Sequence, residues 1–360
     1  MFENFLSVCK DVTKTTRKIP QGEYLSDGTY KIFDQGKNYI GGYCNTANGV
    51  ASDYPYIVFG DHTRVIKYIN EPCYIGADGV KLLKVYNNDF IPKFVYYAML
   101  ANPVEHQGYS RHFKLLKETK IRKYDKSIQN TIIDELDKIN LAISLKESIL
   151  NHLDELVKSR FIEMFGDPLS NSKGYDLSDY GSLFELNAGG TPSKNKPEYW
   201  ENGNISWIGS NMCQDTILYE NDGKYITELG FNNSSARMFP KNTVLVALVG
   251  ATIGKTALLK FETTTNQNVL GIRGIEESGN NPYFVFYYTQ GLHKFFMDIS
   301  DGGFAMASKG FISKLPFPIV DISLQNDFAD FVKLIDKSKF VGYFTLNIFY
   351  VKSSHFHHPP

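Results

Sequence analysis

The sequence predicts an α+β protein in which two similar domains are separated by long helices of the coiled-coil type. The first observation is a repeat: Pro92 before Phe-Val-Tyr-Tyr at 94–97 returns 190 residues later as Pro282 before Phe-Val-Phe-Tyr at 284–287. The second is a continuous helical pattern that lies between the two copies. A repeat of this length is a whole domain, and 360 residues are enough for two hydrophobic cores.

Two weaker repeats support the duplication. Residues 24–28, which precede Tyr30, return loosely as residues 199–203, which precede Ile205. Ile-Gln-Asn at 128–130 opens one helical pattern, and Leu-Gln-Asn at 324–326 opens another. Two similar domains held apart by a rod are suited to a target that has two parts.

The first domain is predicted to span residues 1–122 and to contain mainly strands. Short apolar runs at 56–59 and 81–86 each end in turn-forming residues, and Pro92 suits the first turn of a helix.

A central spacer helix is predicted over residues 123–167. Apolar residues are stepped by threes and fours from Ile132 to Met164, and the stretch contains no Pro or Gly before Gly166 and Pro168. Such a helix would extend roughly 55 Å and favours pairing with a second helix. The predicted seam for that partner consists of Ile139, Ile143, Leu150, Leu153 and Val157.

The second domain is predicted over residues 168–322. Its clearest strand is 243–249, with a partner strand at 255–261 and a helix starting at Pro282. A shortened second spacer helix follows at 323–340. Residues 341–360 form an atypical tail, because 341–350 are aromatic and β-prone.

Composition narrows the class of protein. The net charge of −1 provides no overall positive field, so a nucleic-acid binder would have to gather its Lys and Arg on one face. The four cysteines show neither CxxC spacing nor a neighbouring His pair, which is typical of a reduced cytoplasm and does not favour structural zinc. Without a signal-peptide pattern or an apolar span, we expect a soluble cytoplasmic protein.

Several motifs together resemble a known family. They are Phe-Ile-Glu-Met-Phe-Gly-Asp-Pro at 161–168, Gly-Gly-Thr-Pro-Ser at 189–193, Ile-Ser-Trp-Ile at 205–208, the stretch 246–256 and Thr-Asn-Gln-Asn at 265–268. In this combination the chain is similar to the specificity subunits of type I restriction-modification systems. The likeness covers residues 1–340 and is weaker in the first domain, which has no Gly-Gly-Thr-Pro-Ser segment.

The resemblance implies two target recognition domains, each reading half of a split site on double-stranded DNA. It also implies antiparallel helices that set the spacing and dock methyltransferase subunits, with restriction subunits joining through the complex. Catalysis, and with it S-adenosylmethionine, ATP and Mg, is then expected on the partner subunits. No cofactor, metal or catalytic residue is expected on this chain, and no membrane partner.

Tempting enzyme motifs are incomplete. Residues 250–256 resemble a P-loop, but the pattern requires Gly where Val249 stands. Residues 280–283 resemble an adenine methyltransferase motif but lack its second Pro. The histidines at 355, 357 and 358 favour a terminal tail over a metal site.

Candidate DNA contacts are polar residues near predicted loops, because Asn and Gln pair with adenine and Arg and Lys with guanine or phosphate. Any one residue of this kind is more often solvated surface than a contact, and for the polar segment 266–268 a structural role is about as common as a contact. The candidates are His62, Arg64, Lys67, Arg111, His112, Lys194, Lys196, Ser210, Asn211, Thr252, Lys255 and Lys309.

The alternative is a truncated or silent specificity-subunit variant that acts only as a partner-binding interaction protein. The shortened second helix motivates this alternative. A methylation assay with the methyltransferase subunit would separate the two hypotheses.

Overall fold

A computed structural model describes residues 1–108, 110–300 and 306–355. The chain divides into two compact units, one formed by Met1–Glu147 with the chain from Tyr343 onwards and the other by Ser148–Gly342. The division falls within the long central helix, so each half of that helix belongs to a different unit.

The first unit contains ten strands and three short helices before the long helix begins. The strands are β1 (Phe2–Asn4), β2 (Cys9–Asp11), β3 (Lys18–Ile19), β4 (Tyr30–Phe33), β5 (Gly42–Cys44), β6 (Tyr56–Gly60), β7 (Ile66–Ile69), β8 (Cys73–Gly76), β9 (Val80–Val85) and β10 (Lys120–Arg122), and the helices are α1 (Phe5–Val8), α2 (Pro92–Ala101) and α3 (Phe113–Leu116). The long helix is α4 (Lys126–Phe165).

The second unit repeats this order of elements. Its strands are β11 (Leu177–Asp179), β12 (Glu185–Ala188), β13 (Ile205–Ile208), β14 (Thr216–Leu218), β15 (Tyr225–Ile226), β16 (Met238–Phe239), β17 (Val244–Ala247), β18 (Thr256–Leu259), β19 (Thr263–Thr265), β20 (Val269–Arg273) and β21 (Pro316–Pro318), and its helices are α5 (Tyr180–Leu183), α6 (Glu228–Asn232), α7 (Pro282–Gly291), α8 (His293–Ser300), α9 (Lys309–Ser313) and α10 (Ile322–His355).

The sheets confirm the predicted duplication. The order β2-β9-β6-β7 in the first unit corresponds to β12-β20-β17-β18 in the second, which adds β14 at the edge. In the smaller sheets β4 pairs in parallel with β8, and β13 pairs in parallel with β19. The loosely repeated segments before Tyr30 and Ile205 therefore lead into equivalent strands.

The long helix α4 contributes to the core of each unit. Ile133 belongs to the apolar core of the first unit, together with Phe94 of α2. In the second unit, the ring centroids of Phe161 and Phe165 lie 5.8 and 4.7 Å from that of Phe284 of α7. The helix is therefore stabilised by packing at both of its halves and does not rely on helix propensity alone.

Helices α4 and α10 are antiparallel where they meet in the second unit. Phe161 and Phe165 of α4 hold the ring of Phe328, near the start of α10, at 5.3 and 5.5 Å. Further along α10, Lys339 forms an ion pair with Asp154, which lies earlier in α4. Contacts that advance along one helix and retreat along the other define an antiparallel pair.

The predicted end of the second spacer helix at 340 is wrong. Helix α10 continues to His355, through the β-prone residues 341–350. Aromatic and β-branched residues lose only about 0.5 kcal/mol each in a helix, so a helix already nucleated by packing extends through them. The structure thus removes the shortened helix that motivated the truncated-variant alternative. The histidines 357 and 358 lie outside the described residues.

A buried glutamine fixes the start of each long helix. Gln129 of α4 accepts the N–H of Ile91 at 2.8 Å and donates through Nε2 to the carbonyl oxygens of Asp89 and Tyr124, both at 2.8 Å. Its side chain is fully buried. The amide therefore joins the beginning of α4 to the segment that starts α2.

Gln325 repeats this arrangement in the second unit. It accepts the N–H of Asn281 at 2.8 Å and donates to the carbonyl of Val320 at 2.9 Å and to Asn280 Oδ1 at 3.1 Å. The repeated Gln-Asn pairs of the sequence are thus explained by one structural device, used once in each unit.

Replacing Gln129 with Leu should lower the free energy of unfolding of the first unit by about 2–5 kcal/mol, because three backbone groups lose their partner away from water. Urea denaturation followed by circular dichroism measures this. The control is Gln21→Leu, at an exposed position, which should change stability by less than about 0.5 kcal/mol. Equal effects of the two substitutions would contradict the role of Gln129.

Candidate nucleic-acid interface

The Gly-Gly-Thr-Pro-Ser segment forms a tightly held loop after β12. A Cβ on Gly189 would lie 2.0 Å from Thr265 Oγ1, and one on Gly190 would lie 2.3 Å from the backbone of Ser235. Trp207 Nε1 donates to the carbonyl of Gly190 at 3.2 Å. The two glycines are therefore required by close approach to neighbouring backbone, which fixes where the loop leaves the sheet.

The polar Asn-Gln-Asn segment at 266–268 lies beside this loop. The N–H of Asn266 donates to the carbonyl of Ile208 at 3.2 Å, and its side chain accepts the N–H of Asn268 at 3.0 Å. The exposed Gln267 accepts the Thr191 hydroxyl at 2.6 Å. The two asparagine contacts are structural, while Gln267 connects two surface loops.

Lys194 and Lys196 are exposed on the continuation of the same loop. Lys196 Nζ lies 3.0 Å from the hydroxyl of Tyr199 and 4.8 Å from its ring centroid. The hydrogen bond that Lys196 donates to the Tyr199 hydroxyl oxygen raises the pKa of Lys196, so the ammonium form is favoured. Trp200 closes the loop by donating to the carbonyl of Ser193 at 3.1 Å.

The loop after β13 and the β17–β18 turn are joined by a glutamine. Ser210 and Asn211 lie on a single 3₁₀ turn, and Gln214 Nε2 donates to the carbonyl of Asn211 at 3.1 Å. Gln214 Oε1 accepts Lys255 Nζ at 2.8 Å. Thr252 lies within the hairpin turn itself, with its hydroxyl donating to the carbonyl of Val249 at 3.5 Å. Residues 250–256 form a turn and its following strand, with no helix after it to complete a phosphate-binding loop.

Lys309 is brought to the same end of the sheet by the segment before α9. The N–H of Ala307 donates to the carbonyl of Leu248, just beyond β17, at 2.9 Å. Ser308 caps α9 by accepting the N–H of Phe311 at 3.1 Å, and Lys309 follows it, exposed. Six of the seven candidates of the second unit therefore lie on loops and Lys309 is the first residue of α9, and hydrogen bonds connect these segments to one another.

Three candidates of the first unit use polar groups inside the fold. Lys67 is only 3% exposed and donates to the carbonyl of Asn38 at 2.6 Å, with Asp34 at 3.4 Å. Burial lowers the pKa of Lys67, and the Asp34 carboxylate opposes this shift. The lysine therefore joins β7 to the loop that follows β4.

Arg64 and His112 are also structural. Arg64 has a positive φ of 62° and donates through Nη1 to the carbonyl of Val104 at 3.1 Å. His112 is fully buried, with Nδ1 3.0 Å from the carbonyl of Asp61 and Nε2 accepting the N–H of Gln107 at 3.2 Å. Of the remaining two candidates, His62 is half-buried and Arg111 is exposed.

The predicted helix seam is used within the chain. Val157 lies in the apolar core of the second unit and Leu153 packs against it. Leu150 is buried, and Ile139 and Ile143 are half-buried. A different stripe of α4, stepped by fours and sevens, remains exposed: Leu141 (59%), Leu145 (55%), Ile149 (52%) and Leu156 (47%).

Neither a metal cluster nor a membrane span occurs in the part of the chain that the structure describes. Among these residues, no three or more His, Cys, Asp and Glu side chains are grouped so as to hold a metal ion. None of the helices in the described ranges has the length and apolar character needed to cross a membrane.

Comparison with known proteins finds a family match within the second unit. Residues 172–340 match the family described as the type I restriction modification DNA specificity domain. A type I restriction enzyme specificity subunit from Escherichia coli is 27% identical over 268 residues, which cover 69% of this chain and 65% of that protein. The MjaIX specificity subunit from Methanocaldococcus jannaschii is 32% identical over 153 residues, 41% of this chain and 34% of that protein.

The fold likeness extends over the whole chain. A type I restriction-modification S subunit from M. genitalium superposes with a TM-score of 0.60 at 14% identity, covering 99% of this chain and 94% of that one. In sequence the chain is thus similar to the specificity subunits of type I restriction-modification systems. Its matches span 65% or less of the length of these two curated relatives.

Buried and exposed charged residues of the first unit can be distinguished by how much their substitution changes the free energy of unfolding. Lys67→Ala should lower the free energy of unfolding of the first unit by about 2–4 kcal/mol, because Asp34 and the Asn38 carbonyl lose a buried partner. Arg111→Ala should change it by less than about 0.5 kcal/mol, because Arg111 is exposed. Denaturant unfolding of both variants measures the difference, and a neutral Lys67→Ala would restore Lys67 as a candidate contact.

Proposed function

We propose that this chain is the DNA-recognition subunit of a type I restriction-modification enzyme, in which each unit reads one half of a bipartite site on double-stranded DNA. The observation that carries the proposal is the duplication itself. Both units share the order of four strands in their main sheets, and each has polar loops after its parallel-paired strand and at its antiparallel hairpin. A repeated reading unit on one continuous helix suits a split target.

The chemistry of the second unit's loops favours a nucleic acid. Lys194, Lys196 and Lys255 lie on loops and Lys309 begins α9, while Asn211, Gln214 and Gln267 supply amide side chains to the loops of the same unit. Ammonium groups bind phosphates without regard to sequence, while amides present a donor and an acceptor to base edges. The loops are cross-linked by hydrogen bonds, so less ordering entropy is lost when DNA binds.

The helix α4 supplies the spacer and the docking surface for partners. At a rise of about 1.5 Å per residue, its 40 residues extend about 60 Å. The exposed stripe from Leu141 to Leu156 is an apolar face of the kind that a partner helix covers. We assign this stripe to the methyltransferase subunits, with the restriction subunits joining through them.

Methylation and cleavage are then catalysed by the partners, together with the S-adenosylmethionine, ATP and Mg that those reactions use. In this proposal the chain itself contributes sequence recognition and geometry. Turnover of any of these cofactors by the purified chain alone would contradict it.

Replacing Lys194, Lys196 and Lys255 with Ala should weaken DNA binding through the half-site of the second unit. For each phosphate that is no longer neutralised, the slope of log K against log salt concentration should become shallower by about 0.9. Fluorescence anisotropy at several salt concentrations measures both effects. The control is Lys241→Ala, because Lys241 is exposed just before β17, at the strand end away from the β17–β18 turn. Equal effects of Lys241 and the three lysines would contradict the assigned face.

Replacing Leu145 and Ile149 with Asp should abolish co-purification of the methyltransferase subunit while leaving the chain folded. Charges on an exposed stripe cost little in the free chain but are desolvated when a partner covers them. Asn151→Asp, exposed on the opposite side of α4, is the matched control and should retain the partner. Undiminished co-purification of the double variant would reject the stripe as the docking surface.

A further inference from the structure

The internal repeat aligns the two units element by element and so points to functional residues that composition alone does not. Strand β4 of the first unit is equivalent to β13 of the second, since each pairs in parallel with the strand that follows the hairpin. The loop after β13 carries Ser210, Asn211 and Gln214. The loop after β4 begins with Asp34-Gln35-Gly36 and extends to Gly41, and it contains no residue of the predicted set.

Gln35 is held in place by the equivalent hairpin turn of its unit. Its Oε1 accepts the N–H of His62 at 3.3 Å, and its backbone carbonyl accepts the Thr63 hydroxyl at 2.7 Å. Gly79 lies against the amide: it has a positive φ of 58°, and a Cβ there would be 2.7 Å from Gln35 Nε2. A side chain at position 79 would displace the amide of Gln35, so the glycine at this position leaves room for that amide.

The same connection is made in the second unit by Gln214. There Oε1 accepts Lys255 Nζ from the turn between β17 and β18, whereas Gln35 takes a backbone N–H from the turn between β6 and β7. In both units a glutamine amide therefore joins the loop after the parallel-paired strand to the hairpin turn. Gln35 is half-buried at the surface, and its Nε2 forms no hydrogen bond to another described residue.

We propose that Gln35 is a specificity-determining residue, which reads an adenine in the half-site recognised by the first unit. This inference rests on the proposed function. A glutamine amide donates to N7 of adenine and accepts from its N6 amino group in the major groove. The free Nε2 of Gln35 supplies the donor, and Oε1 has a second lone pair beside the one that His62 uses. The turn at His62 and Gly79 fixes the amide before DNA arrives.

The test is to sequence methylated sites from cells that contain this chain with its methyltransferase subunit. Gln35→Ala should relax one A·T position in one half-site by roughly 5- to 150-fold, with the other half-site unchanged. Gln35→Glu keeps the acceptor for the His62 N–H but replaces the donor with a second acceptor. It should therefore shift the preference at that position from adenine toward cytosine, whose N4 amino group donates. Gln21→Ala, exposed elsewhere in the first unit, should leave the methylated sequence unchanged.

The outcomes distinguish a failure of the role of Gln35 from a failure of the proposed function. An unchanged methylated sequence in both Gln35 variants, a change at a G·C position, or equal loss in both half-sites would overturn the inference. Complete loss of methylation by Gln35→Glu would also overturn it, because a base reader changes preference while a structural residue abolishes activity. If the wild-type complex methylates no defined sequence, the proposed function itself fails. A defined wild-type sequence that the Gln35 variants also recognise removes only the role of Gln35.

Discussion

A glutamine that is wholly removed from water fixes the start of each long helix, and the remaining structure depends on this contact. Gln129 and Gln325 each satisfy three polar partners with one amide, and in each unit the first of these is a backbone N–H just before the short helix that begins with proline. Because the amide is neutral, burying it needs no counter-charge, only partners for its donor and acceptor. The contact therefore fixes the residue at which the helix starts and the direction in which the helix packs against the core. The rings of Phe161 and Phe165 at the end of α4 then pack against Phe328 near the start of α10.

Polar side chains serve two separate purposes in the two units. Lys67, Arg64 and His112 bond to carbonyl groups and shape the first unit from inside. Lys194, Lys196 and Lys309 project from the second unit at places where glycine contacts, a tryptophan or a helix cap already hold the backbone. Local rigidity and available charge thus occur together on the loops of the second unit, which is the combination that recognition of a polyanion requires.

Much of the fold was predictable because its signals are local. The apolar runs at 56–59 and 243–249 became strands β6 and β17, Pro92 and Pro282 became first residues of helices, and the apolar stepping from Ile132 to Met164 became α4. The duplication also followed from sequence, because equal domains repeat equal turn and helix starts. Each of these predictions follows from a local sequence pattern and does not depend on contacts between residues that are distant in sequence.

The errors concern contacts between residues distant in sequence. Lys67 resembles a surface residue until Asp34 and Asn38, about thirty positions earlier, are seen to enclose it. The sequence does not single out Gln35 or Gln214, because the role of each depends on its hydrogen bond to a hairpin turn that is distant in sequence. The β-prone residues 341–350 suggested the end of a helix, yet propensity is a weak force once packing has started α10. The apolar seam at Leu153 and Val157, predicted to pair with a second helix, lies in one apolar cluster with residues of α10.

The chemical neutrality of the buried glutamines has a consequence for how the protein responds to its surroundings. Amides do not titrate, and ionic strength screens charges far more than it weakens enclosed neutral hydrogen bonds. The surface lysines of the proposed interface would respond in the opposite way, since contacts between ammonium groups and phosphates weaken as salt rises. Salt can therefore weaken the binding of a charged ligand while the fold that positions the loops is unchanged. The affinity for a charged ligand and the geometry of the loops are set by different interactions in this molecule. A change in ionic strength therefore alters the affinity without deforming the loops.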